Sequence, residues 1–188
     1  MSHSQAGMLN RRAFLTSSSL ILVGGSLCEA ATYVQEPTPK GPDLPEELSQ
    51  AEQEIVNNSE MGQDVANLFG KGYSCAETAL AVGVHFLKKP EDLIWLAGGF
   101  GGGLNHGDLC GFLTGSIMTI GLSAGTLQME RKAAREICAQ RVKDFWKWWV
   151  STAPLHCAEI REGRKDLKVC HRIGRLAAVK VEGLIKPV

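Results

Sequence analysis

Residues 98–115, GGFGGGLNHGDLCGFLTG, hold eight glycines and one cysteine in eighteen positions. Glycine in a folded segment costs roughly 0.5–1 kcal/mol relative to alanine. A run this dense therefore demands a backbone that turns through positive φ, or a neighbour that approaches closer than a side chain allows. The nucleotide-binding glycine motifs do not fit. From Gly99 the run reads G-F-G-G-G-L, with Leu104 where a dinucleotide fingerprint needs a small residue. Gly107 is followed by Asp108 and Leu109, not by the Lys and Ser or Thr of a phosphate loop. What remains to explain the glycines is Cys110.

The surrounding pattern is helical. Helices are expected over 46–69, 75–87, 91–97, 109–122, 127–150, a short turn after Pro154, and 167–185, with no convincing strand. On the long helix Ala134, Cys138, Val142, Phe145 and Trp149 share one face. The expected fold is all-α, a compact multi-helix bundle with a glycine-rich connection before a buried helix. Gly111 and Gly115 have the small-xxx-small spacing of close helix packing, and Trp146, Trp148 and Trp149 read as packing or an interface.

Ahead of this domain, Arg11-Arg12 stand directly before Ala13-Phe14-Leu15 and a short apolar stretch, with small residues at Ala30 and Ala31. These are the proportions of a twin-arginine export signal, and the apolar core is too short for a comfortable membrane span. Leu27 before Cys28 matches a lipoprotein cleavage site poorly. The chain divides into a signal over 1–30, a Pro-rich linker over 31–45 and a helical domain over 46–188. The expected location is the periplasm or the outer face of the cytoplasmic membrane, with membrane contact only where the signal stays uncleaved. Twenty Lys and Arg balance 20 Asp and Glu, which argues against a nucleic-acid surface or a strongly anionic partner.

Four of the six cysteines fall at expected helix starts. Ser74-Cys75-Ala76-Glu77 is a capping box that sets Cys75 in a first turn. Asp108 is a good N-cap for a helix carrying Cys110. Cys157 follows Pro154 where a short helix should begin, and Asp166 can cap a helix with Cys170 in its first turn. A helix N-terminus offers unpaired N–H groups and about half a positive charge, which favours thiolate, the form that ligates metals. Cys138 reads instead as core on an apolar face. His106, His156 and His171 read as polar surface groups, and with no cysteine at 167 the C-x-x-C-H haem motif is absent.

GYSCAETAL around Cys75, LCGFLTGSIMTIGL around Cys110 and HCAEIREGRKDLKVC around Cys157 and Cys170 resemble the redox-active family named for its cysteine spacing, C-GCAxxG-C-C. The resemblance covers about residues 61–185. Asp108-Leu109 stand where the family usually has a glycine before the cysteine, and Phe112 where a smaller residue is usual. The family is similar to the cluster-bearing part of split-Soret cytochromes, and the resemblance implies an iron–sulfur cluster on Cys75, Cys110, Cys157 and Cys170. The expected function is electron transfer with a redox partner protein, by a carrier or redox subunit rather than a stand-alone enzyme. The site is completed by one chain or shared in a homodimer. Two stapling disulfides come next, in any of three connectivities, then a thiol/disulfide redox protein without C-x-x-C. A zinc site comes last, because zinc normally uses paired C-x₂₋₄-C ligands.

Overall fold

A computed structural model describes residues 44–186. The expected signal and nearly all of the linker lie outside the described residues. The described chain forms seven α-helices: α1 Gln50–Asn57, α2 Glu60–Leu68, α3 Cys75–Phe86, α4 Gly111–Ala124, α5 Arg131–Thr152, α6 Cys157–Arg161 and α7 Lys168–Ile185. A 3₁₀ helix over Glu91–Ala97 joins α3 to the glycine run. The all-α expectation holds: among the described residues there are two isolated bridges, Phe69–Tyr73 and Leu109–His156, and no strand. No described helix is long and apolar enough to cross a membrane.

The single helix expected over 46–69 is two helices. Asn58 closes α1, and Ser59 is the N-cap of α2, its Oγ accepting from Gly62 N at 2.9 Å. That hydroxyl also donates to Glu182 Oε2 on α7 at 2.6 Å, and Met61 N donates to the same oxygen at 2.8 Å. A buried carboxylate reached from the far end of the chain fixes the break, and no local periodicity records it.

Helices α3 and α4 pack unusually closely because small residues line their seam. A Cβ on Gly115 would lie 2.8 Å from the Ala79 Cβ, and one on Gly111 would lie 2.9 Å from Ala76 N. One turn further, Thr119 Oγ1 donates to Ala79 O at 3.0 Å and fills the notch over Gly83. The small-xxx-small reading of Gly111 and Gly115 is correct. Phe112 sits in the main core, edge-on to Phe69 with centroids 4.9 Å apart, and against Gly174 of α7. Trp149 and Phe145 bury the inner face of α5, whereas Trp146 is half exposed. Cys138, on the same helix, is half-buried against the main core.

Candidate functional site

The glycine run turns the chain by an unusual device. Gly102, Gly103, Leu104 and Asn105 have φ of 60°, 63°, 57° and 58°, four successive residues in the left-handed region. Leu104 carries about 1–2 kcal/mol for this, which the two glycines avoid and which asparagine tolerates better. The turn closes with Asp108 N donating to Gly103 O at 2.9 Å. It delivers Cys110 to the N-cap of α4.

Two main-chain hydrogen bonds then clip Cys110 to Cys157. Cys110 N donates to Leu155 O at 2.8 Å, and Cys157 N donates to Asp108 O at 2.7 Å, as the rungs of the Leu109–His156 bridge. Outside the clip, the Asp108 carboxylate lies 2.9 Å from His156 Nδ1. Asp108 was expected to cap the following helix. Its side chain serves His156 instead, so α4 starts two residues later than expected and Cys110 takes the N-cap place. His156 is correspondingly a paired group of the clip, not a free surface residue. His171 stacks edge-on to Phe69 at 4.6 Å, and burial together with Arg175 and Lys71 lowers its pKa. His106 lies exposed on the left-handed turn.

Cys75 opens α3 behind the expected capping box: Glu77 N donates to Ser74 Oγ at 3.3 Å and Ser74 N to Glu77 Oε2 at 2.8 Å. Cys157 is the first residue of α6 and Cys170 the third of α7. The glycines make room among them. A Cβ on Gly111 would collide with Cys75 Sγ, and one on Gly103 would lie 2.7 Å from the Cys157 Cβ. The glycine spacing is thus explained by close approach at Gly111 and Gly115 and by left-handed backbone at Gly102 and Gly103.

The four sulfurs lie near enough to act on one another through charge. Burial raises the pKa of Cys110, and Cys75 and Cys170 raise it further, against the first-turn N–H groups of Leu113 and Phe112. Burial also raises Cys157, with Cys75 adding to it and Arg161 opposing. Cys170 is pushed up to about 11 by burial, with Cys157 and Cys75 adding and Arg161 and Arg164 opposing. Cys75 is thus a neighbour of all three others. The expectation that helix starts would favour thiolate is corrected here: for Cys110, Cys157 and Cys170 desolvation and mutual repulsion outweigh the helix dipole. Arg161 and Arg164, the cations facing these thiols, were missed in the sequence. The signal was the i, i+4 spacing of Cys157 and Arg161 on one short helix.

All five described cysteines are free thiols. Among the described residues no three His, Cys, Asp or Glu side chains are gathered closely enough to hold one metal ion. A single tetrahedral zinc, with Zn–S near 2.3 Å, needs its sulfurs within about 4 Å of one another. The donor set does not have that geometry.

No curated protein and no solved structure matches the chain. Residues 73–184, more than half of the chain and all four clustered cysteines, match the family described as "Putative redox-active protein (C_GCAxxG_C_C)". With its cysteines in that order at four helix starts, the chain belongs to the C_GCAxxG_C_C redox-active family.

Proposed function

We propose that the protein is an exported electron carrier in which Cys75, Cys110, Cys157 and Cys170 hold an iron–sulfur cluster. The observation that carries the reading is the gathering of cysteines from separate helix starts: two main-chain hydrogen bonds clip Cys110 to Cys157, and Cys75 Sγ lies against Gly111 beside Cys110. An all-thiolate donor set suits such clusters, which supply one-electron transfer when bound.

The chain's own residues define what the site requires. Burial and the neighbouring sulfurs keep Cys110 and Cys170 protonated near neutral pH, so these two are poor nucleophiles. That argues against a thiol/disulfide enzyme. Ligation by a metal cation removes the protons and replaces sulfur–sulfur repulsion with attraction. The first-turn N–H groups of α4 and the guanidinium groups of Arg161 and Arg164 then offset the net negative charge. Gly111 and Gly103 keep side chains out of the space beside Cys75 and Cys157. Cys110 is buried, whereas Cys75, Cys157 and Cys170 are each partly exposed, so an electron would pass to a partner protein on the side of these three. Arg11-Arg12 before Phe14-Leu15 support export by the twin-arginine route, which carries folded proteins both with and without an inserted cofactor.

The test is a serine series on protein purified without oxygen from an iron-replete host. Cys75→Ser, Cys110→Ser, Cys157→Ser and Cys170→Ser should each lower bound iron and acid-labile sulfide together, while Cys138→Ser leaves both at the wild-type level. Equal contents in all five variants would overturn the assignment. Two bridges on mass mapping of an iron-free, folded protein would establish the disulfide alternative.

A further inference from the structure

The overall charge balance hides a segregated face. Helix α5 carries six of the chain's 20 Lys and Arg against two acids. Its inner face is held by Phe145 and Trp149, and its outer face is open along the whole helix. At 100° per residue, Lys132, Arg135, Lys143, Trp146, Lys147 and Val150 fall on one outward stripe. Trp146 is 41 % and Val150 49 % exposed. None of these four cations has an ion-pair partner among the described residues. The contrast is with Arg172 and Lys186, which pair with Glu52 and Glu182. One acid, Glu136, shares the stripe.

We propose that this face of α5 docks on an anionic phospholipid bilayer. Free cations and a Trp–Val pair are the two elements an interfacial helix uses: lysine and arginine reach phosphate headgroups while their stems and the indole settle at the acyl boundary. The charge complements anionic lipid. The shape favours a lipid surface over a protein partner. A 22-residue helix is about 33 Å long, and one stripe on it with two large apolar groups lacks the apolar centre of a standard interface of about 800 Å² per partner. A bilayer needs no complementary shape.

The probe is sedimentation of the full chain with vesicles of phosphatidylcholine alone or mixed with phosphatidylglycerol. Binding should require phosphatidylglycerol and fall steeply with salt. Lys132→Gln/Arg135→Gln/Lys143→Gln should weaken it at least tenfold, whereas Lys71→Gln/Lys88→Gln/Lys89→Gln, removing the same charge elsewhere, should change it less than twofold. Trp146→Ala should weaken binding without changing its salt dependence. The apolar segment near the N-terminus is common to every variant, so the comparison isolates α5. Absence of binding, equal binding to neutral vesicles, or equal binding by the two triple variants would overturn the proposal. Capture by soluble poly-glutamate without vesicle binding would overturn it in favour of an acidic protein partner.

Discussion

Gly111→Ala and Gly121→Ala place the same methyl group at two points of α4 with opposite expected outcomes. At Gly121 a Cβ meets nothing within 4 Å, so alanine gains the helix propensity that glycine lacks. The variant should be more stable by about 0.5–1 kcal/mol. At Gly111 the Cβ would collide with Cys75 Sγ while lying 2.9 Å from Ala76 N and 3.1 Å from Phe100 O. A side-chain end can swing away, but two backbone atoms on different segments cannot. Forcing a methyl into such a site costs typically 1–3 kcal/mol, which outweighs the propensity gain. For a domain this size that is a fall in Tm of about 3–10 °C, against a rise of one to a few degrees for Gly121→Ala. Urea titration followed by far-ultraviolet circular dichroism gives both numbers, and iron content gives a second readout. Gly111→Ala should also bind less iron, because the collision moves a proposed ligand. Equal stability and equal iron in the two variants would refute the argument that the glycine clears space beside sulfur.

Three further outcomes follow from other parts of the molecule. Glu182 is buried, and despite desolvation its pKa is lowered by hydrogen bonds from Lys186, Ser59 and Met61. Its contribution is therefore full above the unfolded value near 4.5 and lost as pH falls through the folded one; Glu182→Gln should cost about 1–3 kcal/mol at pH 7 and flatten the acid limb of a stability–pH curve. Arg161→Gln removes a cation facing Cys157 and Cys170, so protein film voltammetry should show a lower midpoint potential, with Arg161→Lys close to wild type. Arg11→Lys/Arg12→Lys should leave the protein folded but cytoplasmic, as read by cell fractionation.

Much of this architecture was legible because its signals are local. The Ser74–Glu77 capping box lies within four residues and places Cys75 where expected. The helix faces around Phe145 and Trp149, and the glycine spacing of the α3–α4 seam, are likewise periodic features of short windows. What escaped was decided across the chain. Asp108 has the composition of an N-cap, but His156, 48 residues later, claims its carboxylate. Ser59 breaks a helix whose periodicity runs on, because Glu182 reaches it from α7. The thiol electrostatics depend on how deeply four helix starts are buried against one another, and helix polarity alone gave the wrong direction for Cys110. The open cationic stripe of α5 was invisible in a total charge of zero, since pairing elsewhere is a property of the fold.

What the four cysteines hold can be read from the visible spectrum of protein purified anaerobically from a cluster-competent host. The protein should be brown, with a broad sulfur-to-iron absorption that bleaches with dithionite and returns on mild reoxidation, the spectral change scaling with bound iron. A colourless, iron-free and fully folded protein from that same preparation would contradict it.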